Sequence, residues 1–438
     1  MRRMDRPGAR KKQQRRLLSL WTLLGVLLLT ACGRSTSADT SSGSTVVRTA
    51  TSPATTIVAG ILSNIHMIDA SNGWAISHSI EGTSYRILRT TDGGVHWQMT
   101  LECRPTQGVG RDIMEPCSTD FRSASVATVV QPEYESATQY SQIRIFHTSN
   151  GGQTWQSSLL QVRDLETPAV FVDGTHGWVF ATDHFPGPDP ASAYIGGEIA
   201  LYHTSDGGAS WQRIASGPST PQIATTTDDA YGAPPFAASA RMQFLTPSTG
   251  WLIGMAQRSS SSSYSWLYVT HDGGSTWHKV AISFPTQMLS LWTPTFFSGQ
   301  DGLFPVLTNT SNAPQTQGTL LYTTRDGGQS WTPTTVPLDI TNAIFTDLNH
   351  AVADNPVSNI LYTTSDGWHH WTQVQMHAPF KRLYALDFVS PTLGWALADN
   401  RTLNHTMFRP KARSGDVVHL VQTTDGGQTW HEIAHSRA

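Results

Sequence analysis

The chain of 438 residues has no long amphipathic helix pattern and no long apolar run. Beyond residue 31, no long segment repeats its apolar residues at the period of 3.6 that a helix requires, so we expect no helical core. The run from Leu17 to Leu29 is shorter than the ~20 residues of a membrane-spanning helix. Residues 34–56 are rich in Ser, Thr and Ala with almost no large apolar side chain. That stretch cannot bury a core and is typical of a flexible tether.

Basic residues are scarce once the first segment is set aside. The chain has 29 Lys and Arg against 32 Asp and Glu, and residues 1–16 hold eight of the basic and one of the acidic residues. The remainder therefore has 21 basic and 31 acidic residues, a net charge of about −10. A domain this acidic argues against nucleic acid as a partner.

The first residues have the composition of an export signal. A basic segment precedes the apolar run, which ends in Leu29-Thr30-Ala31-Cys32-Gly33. Small residues before a cysteine in this context resemble a bacterial lipobox, in which Cys32 is lipidated and becomes the mature N-terminus. An uncleaved membrane anchor is the alternative. Both interpretations place the folded part outside the cytoplasm, tethered to a membrane.

Cysteine is nearly absent from the remainder of the chain. Only Cys103 and Cys117 follow Cys32. In an oxidising compartment two cysteines 14 residues apart are expected to form a disulfide, with two free thiols as the alternative.

A short stretch containing Asp or Asn, glycine and tryptophan occurs seven times, and we call each copy an Asp-Gly turn. Its acidic or amide side chain can accept hydrogen bonds from N–H groups further round a hairpin, and glycine supplies a positive φ. The tryptophan opens the return strand and is expected to pack between sheets. Asn150 cannot act as a general base, so the set is predicted to be structural. The seven pairs are Asp92 and Trp97, Asn150 and Trp155, Asp206 and Trp211, Asp272 and Trp277, Asp326 and Trp331, Asp366 and Trp371, and Asp425 and Trp430.

A second motif, here called the Gly-Trp turn, precedes each Asp-Gly turn. It consists of a strand that ends in an apolar residue, a turn, and then Gly-Trp at the start of the next strand. Clear copies end at Trp74, Trp178, Trp251 and Trp395, and degraded copies begin at Phe121, Phe297 and Phe345.

Each repeat therefore predicts four antiparallel strands, and seven such repeats indicate an all-β, single seven-bladed β-propeller. One blade cannot bury both of its faces, so the blades pack side by side round a channel. We assign residues 1–31 to a signal peptide, 32–56 to the tether and 57–438 to the propeller. The predicted blades span about residues 62–101, 119–158, 168–214, 240–281, 293–335, 341–375 and 383–434.

The paired motifs resemble the Asp-box, or BNR-repeat, propellers. They are most similar to the photosystem II stability/assembly factor family, and more distantly to sialidase, glycosidase and sortilin-type propellers. The resemblance covers residues 62–436. It implies an assembly factor, but every matching residue belongs to the scaffold, and the photosystem role is an analogy.

The two turn motifs are predicted to share one rim, and the opposite rim, here called the loop rim, carries the loops of variable length. Variable loops on a rigid scaffold commonly bind ligands, so we expect the site on the loop rim. The loops are Leu101 to Thr119, Asp183 to Gly197, Ser216 to Ala238, Gln257 to Ser265, Thr308 to Gly318 and Asp399 to Gly415.

Two groups of side chains are candidates for binding on the loop rim. A basic group suits an acidic peptide or an anionic sugar, with scattered solvated charge as the alternative. An acidic and aromatic group could bind a cation or a sugar. His369 and His370 are adjacent on a hairpin and point to opposite faces, so we predict no metal and no cofactor. The basic group is Arg241, Lys381, Arg382, Arg401, Arg409, Lys411 and Arg413, and the second group is Asp228, Asp229 and Tyr231.

Catalysis is the competing hypothesis, because related propellers include sialidases. The Arg-Ile-Pro signature of sialidases is absent before the first Asp-Gly turn, where Arg86 and Arg89 lie in an alternating strand. A glycosidase needs two carboxylates roughly 5–10 Å apart, and no acid has a diagnostic neighbour, so we assign no catalytic residue. The acids considered are Glu133, Glu135, Asp183, Asp189, Asp228 and Asp229.

The sequence therefore predicts a lipid-anchored, extracytoplasmic propeller that works as a monomeric binding or assembly scaffold. Its expected partner is a membrane or secreted protein, or a glycan. A carbohydrate-active enzyme, glycosidase or sialidase-like, is the alternative.

Overall fold

The computed structural model describes residues 40–41, 46–49, 60–79, 84–104, 117–135, 140–165, 169–183, 198–218, 240–259, 262–285, 288–309, 317–336, 342–355, 360–374, 380, 382–400 and 417–437. These residues belong to one compact unit, Asp39–Ala438. All regular elements among the described residues are β-strands. Within the same ranges, no helix is long and apolar enough to cross a membrane. Cys32 and the predicted signal peptide lie outside the described residues.

Seven antiparallel sheets form a seven-bladed propeller, in agreement with the predicted fold. The strands of blades 1 to 3 are Ile61–Met67, Gly73–His78, Tyr85–Thr90 and Gln98–Cys103; Ser118–Phe121, Ala127–Glu135, Tyr140–Thr148 and Thr154–Leu160; and Val162–Leu165 with Val170–Phe171, Gly177–Asp183, Glu198–Thr204 and Trp211–Pro218. Those of blades 4 and 5 are Arg241–Phe244, Gly250–Ser259, Ser262–Thr270 and His278–Lys279; and Met288–Leu291 with Thr295–Phe296, Gly302–Asn309, Gln317–Thr324 and Thr332–Val336. Those of blades 6 and 7 are Asn342–Phe345, Ala351–Asn355, Ile360–Thr364 and Thr372–Val374; and Arg382–Phe388, Gly394–Asp399, Val417–Thr423 and His431–Arg437.

The two turn motifs of each blade are joined by a backbone hydrogen bond. The first glycine of the Asp-Gly turn donates its N–H to a carbonyl of the Gly-Trp turn, as Gly93 does to Ser71 at 2.8 Å. The same bond occurs in all seven blades. Both turns therefore lie on one rim, here called the turn rim. The other donor and acceptor pairs are Gly151 and Ser125, Gly207 and Thr175, Gly273 and Ser248, Gly327 and Gln300, Gly367 and Asn349, and Gly426 and Thr392.

Two segments of the predicted tether pair with the propeller. Val46–Thr49 adds to the fourth strand of blade 2, and Thr40–Ser41 adds to that of blade 3, both antiparallel. The outer strand of a blade leaves one row of N–H and C=O groups unpaired, and a chain rich in β-branched residues can satisfy them. The polar composition of this stretch concealed that capacity.

Stacked aromatic rings hold neighbouring blades together. The Trp178 indole of blade 3 lies parallel to the Phe244 ring of blade 4, with ring centroids 3.7 Å apart. Its Nε1–H donates to the carbonyl of Gly273 in that next blade at 2.8 Å. A Cβ on Gly250 would lie 2.5 Å from Phe244, so glycine is required where this ring crosses its own hairpin. The tryptophan of a Gly-Trp turn is thus the contact between blades.

The fifth Gly-Trp turn differs by one residue from its prediction. Phe296, not Phe297, ends the first strand and pairs with Gly302. Its ring stacks on Trp251 of blade 4 at 4.2 Å. Alignment by the aromatic alone could not distinguish two adjacent phenylalanines, whereas the strand register does.

The ring closes without any exchange of strands. Blades 7 and 1 are each built from four consecutive strands, so they are joined only by packing and hydrogen bonds among the described residues. Trp395 donates from Nε1 to the Gly93 carbonyl at 2.9 Å, and Leu62 donates its N–H to the Ser436 hydroxyl at 3.1 Å. The Asp387 carboxylate accepts the N–H of Met67. Trp395 also lies in one apolar cluster with residues of both blades.

In the sixth Asp-Gly turn, the buried packing residue is Trp368 and not Trp371. Trp368 stands where the other turns have their second glycine and has a φ of 77°. It is 2% exposed and meets the Phe345 ring edge to face at 5.1 Å. Trp277 makes the equivalent contact with Phe244 in blade 4. Trp371, the predicted packing residue, is only partly buried at the margin of this cluster. A bulky residue at positive φ is strained, so burial of the indole must compensate.

Candidate functional site

The predicted basic group is only partly within the described residues. Arg241 is exposed on the first strand of blade 4. Arg382 opens the first strand of blade 7, where its Nη2 donates to Asp399 Oδ2 at 2.8 Å and its guanidinium lies 4.4 Å from the Tyr384 ring. Asp399 is 1% exposed, so the positive charge of Arg382 is matched by a buried carboxylate. The remaining candidates lie outside the described residues: Lys381, Arg401, Arg409, Lys411, Arg413, Asp228, Asp229 and Tyr231.

Parts of one predicted loop lie in paired strands. Gln257 to Ser265 is part of a long hairpin, with Met255 paired to Ser265 and Gln257 to Ser263. Serine is poor in β-propensity, but strand pairing overrides that preference. Cys103 and Cys117 are joined in a disulfide and are both buried in the core.

One of the acids considered for catalysis is committed to an ion pair. Glu133 lies on a strand and not in a loop. Its two carboxylate oxygens accept from Nε and Nη2 of Arg144 at 2.6 and 3.1 Å. The bidentate pair occupies both oxygens of the carboxylate with a structural partner. The side chains of Glu135 and Asp183 and all of Asp189 lie outside the described residues.

The acids of the Asp-Gly turns are engaged in hydrogen bonds of the turn itself. In blade 5, Asp326 Oδ1 accepts from the Thr324 hydroxyl and the Ser330 N–H, and Oδ2 accepts from the Ser330 hydroxyl at 2.5 Å. Bonds from Ser330 and Thr324 lower the pKa of Asp326 to about 2. Bonds from the N–H and ring of His370 likewise lower the pKa of Asp366 to about 2. These carboxylates are ionised acceptors and cannot serve as general acids near neutral pH.

A buried threonine two residues before each acid completes the turn, and the sequence analysis did not identify it. Thr324 donates to Asp326 and accepts the N–H of Gly328 at 2.9 Å. The recurrence of threonine at this position in every repeat was the available signal. The set is Thr90, Thr148, Thr204, Thr270, Thr324, Thr364 and Thr423.

The turn hydrogen bonds predict a loss of stability in acid. Asp326 has a pKa of about 2 in the folded chain and an ordinary value of 3.8. Its contribution is therefore complete above about pH 4 and is lost as the pH falls towards about 2. We expect Asp326→Asn to flatten this part of the stability profile and to keep the turn, because Asn150 accepts the Thr154 N–H at 3.0 Å in blade 2. Urea unfolding at several pH values measures the effect. An unchanged acid profile in Asp326→Asn would contradict it.

Two half-buried carboxylates lie on the first strands of blades 2 and 7, close to the axis of the ring. Asp120 and Asp387 occupy the same position in blades 2 and 7, one residue before the phenylalanine that ends the first strand. Asp120 Oδ2 accepts the N–H of Phe171 in blade 3 at 3.3 Å, and Asp387 accepts that of Met67 in blade 1. Burial raises the pKa of both carboxyl groups.

His66 lies between these carboxylates on the first strand of blade 1. Its Nδ1 is 3.8 Å from Asp387 Oδ1, and its side chain is 48% exposed. Arg122 and a protonated His66 both oppose the effect of burial on the pKa of Asp120. Buried carboxyl groups beside an exposed imidazole occur at catalytic centres, but structural networks give the same signature. Because Asp120 and Asp387 each hold the N–H of the next blade in the same way, we assign them to the seams between blades.

Within the described ranges, no group of three or more His, Cys, Asp or Glu side chains is arranged to hold a metal ion. This includes His369 and His370, which are both exposed at the sixth Asp-Gly turn.

Comparison with known proteins supports the fold. No protein-family model matches the chain, and no curated protein is similar to it. The propeller domain of the Trilobed protease from Pyrococcus furiosus has a TM-score of 0.50 at 8% identity, over 87% of this chain and 97% of that one. YCF48 from Cyanidioschyzon merolae has a TM-score of 0.44 at 16% identity, over 81% of this chain and 96% of its own. The GH74 xyloglucanase from Xanthomonas campestris has a TM-score of 0.43 at 13% identity, over 89% of this chain and 69% of its own. At 8% identity the match to the Trilobed protease domain shows a shared propeller fold alone.

Proposed function

We propose that the protein is a lipid-anchored, extracytoplasmic propeller that binds a partner through its loop rim and does not catalyse a reaction. The observation that supports this proposal is that the acidic side chains already have structural roles. The described carboxylates with shifted pKa values serve in turns, ion pairs or seams, as Asp326 and Asp387 illustrate. The proposed partner is a membrane or secreted protein or a glycan, bound by a monomer. We also propose that the seven repeats are Asp-box repeats. The photosystem II assembly factors serve as the functional analogy for this protein.

The lipid anchor predicts a specific effect of Cys32→Ser. Without the thiol no lipid can be attached, so we expect the protein to leave the membrane fraction or to accumulate with its signal peptide. Fractionation and immunoblotting measure both outcomes. Wild-type membrane attachment in this variant would contradict the lipobox assignment.

The binding surface is tested by purification of the tethered protein from gently solubilised native membranes, with partners identified by mass spectrometry. We expect a stoichiometric partner that is lost when Arg409, Lys411 and Arg413 are replaced by glutamate. The matched control is Arg325→Glu, because Arg325 is 71% exposed but lies on the turn rim. Retention of the partner by the first variant and its loss in the control would place binding on the turn rim. A wild-type protein without any partner would overturn the proposal.

A carbohydrate-active enzyme is the second candidate, and one observation favours it. Asp120 and Asp387 are half-buried carboxyl groups with pKa values raised by desolvation, near the exposed His66 at the axis. A glycosidase requires a protonated acid at the pH of the reaction, which burial promotes.

A further inference from the structure

The seam between blades 2 and 3 is built differently from its neighbours. Blade 2 lacks the Gly-Trp pair, and strand register places Ala127 and Thr128 at the two positions. No indole is therefore available to stack on Phe171 of blade 3. The His147 imidazole occupies that place, parallel to the Phe171 ring at an interplanar angle of 15° with centroids 4.0 Å apart.

His147 is held as a neutral ring. It is 4% exposed. Its Nε2 lies 3.2 Å from the Gly174 carbonyl and its Nδ1 lies 3.2 Å from the Thr128 hydroxyl. A carbonyl only accepts, so Nε2 donates to Gly174 and Nδ1 accepts from Thr128. The tautomer is thus fixed from both sides, and no carboxylate contacts either nitrogen among the hydrogen bonds of the described residues.

The equivalent position in the other blades shows what is particular to this seam. His203 has the same place in blade 3, but it lies over Trp178, and the indole forms the contact with the next blade. In blades 5 and 6, where the tryptophan is also absent, Leu303 and Val352 are buried at its position. Among the seven equivalent positions, all of which the structure describes, only blade 2 uses a titratable ring as the stacked contact. The residues at the position of His147 are Arg89, His203, Val269, Thr323, Thr363 and Gln422.

The charges around His147 do not compensate for a proton. Asp173, in the turn that supplies the Gly174 carbonyl, attracts an imidazolium. Asp120 is engaged by the Phe171 N–H, and Asp206, in the next turn, is engaged by Ser210. Thr128 and Gln156 face the ring from the adjacent strands and carry no charge. Burial prevails over Asp173 and lowers the pKa of His147 to about 4.

We propose that the seam between blades 2 and 3 is an acid-labile joint of the propeller, in which protonation of His147 draws the imidazole off Phe171 and admits water to the seam. The imidazolium carries N–H on both nitrogens, so the Thr128 hydroxyl must turn from donor to acceptor at Nδ1. The charge must also be solvated, which requires the seam to open to water. The His66 ring also faces Phe121 across the seam between blades 1 and 2, but the centroids are 6.3 Å apart and the His66 side chain is 48% exposed, so that ring already lies open to water. This inference is independent of which ligand the loop rim binds.

Hydrogen exchange of the wild-type protein at pH 7 and pH 4, corrected for the intrinsic rate, tests the joint without any variant. A shift from the ordinary value of 6.5 to about 4 predicts a loss of protection on the order of a hundredfold. We expect this loss in peptides containing residues 143–147 and 170–174. Peptides at the seam of Trp178 and Phe244 serve as the internal control. Equal loss at both seams, or no loss at either, would overturn the proposal.

The variant His147→Phe keeps a ring on Phe171 but cannot take up a proton. We expect it to abolish the difference between the two pH values at this seam. His203→Phe is the matched control, because it removes a half-buried imidazole from the same position one blade later, and should leave the wild-type behaviour of the joint unchanged. Persistence of the acid response in His147→Phe would assign it to another group and refute the role of His147.

Discussion

Replacement of Trp395 by alanine should lower the free energy of unfolding by about 3–5 kcal/mol and open the ring between blades 7 and 1. Trp395 is fully buried and donates to Gly93 across the seam. Its removal leaves a cavity and an unpaired carbonyl at the seam that no shared strand crosses. Denaturant unfolding measures the stability, and small-angle scattering measures the radius of gyration of the folded state.

Trp178→Ala is the matched control for this experiment. Trp178 has the same burial and the same type of hydrogen bond, to Gly273. Blades 3 and 4 are consecutive in the chain, so the loss of packing is expected to reduce stability by a similar amount without expanding the ring. Equal expansion in the two variants, or none in Trp395→Ala, would show that the terminal seam is no weaker than the others.

The second large effect is expected in the sixth Asp-Gly turn. Trp368→Ala should lower the free energy of unfolding by about 2–4 kcal/mol, since loss of a buried indole exceeds any relief of backbone strain. Trp371→Ala should cost less than half as much, because Trp371 is only partly buried. Thermal unfolding of both variants tests this order. A larger effect for Trp371 would restore the role that the repeat pattern predicts for it.

The repeated turns made the fold predictable from the sequence. The residues that define a blade lie close together in the chain, so Asp326, its glycines and Trp331 could be recognised by spacing alone. The seams could not be found in this way. Leu62 and Ser436 meet across 374 residues, and His147 replaces an indole that belongs to another strand. Such contacts depend on the register between strands, which periodicity does not reveal.

The candidate site was less accessible to sequence reasoning than the fold. Arg382 was predicted to be available for binding an anionic ligand. Its charge is instead neutralised by Asp399, which is 17 residues away on the next strand. Asp120 and Asp387 were not recognised in the sequence. Each precedes a phenylalanine that ends a strand, and only the phenylalanine was given a structural role. Their shared role becomes visible only when the first strands of neighbouring blades are seen side by side.

The central claim is that the axial carboxylates hold the seams and perform no catalysis. The most direct test measures the release of sugar from a panel of glycans. The proteins compared are the wild type and the variants Asp120→Asn and Asp387→Asn. Both variants should stay folded, because an amide oxygen can still accept the N–H of Phe171 or Met67. We predict no release by any of the three proteins. Release by the wild type that disappears in a folded Asp387→Asn variant would contradict the claim and identify a glycosidase.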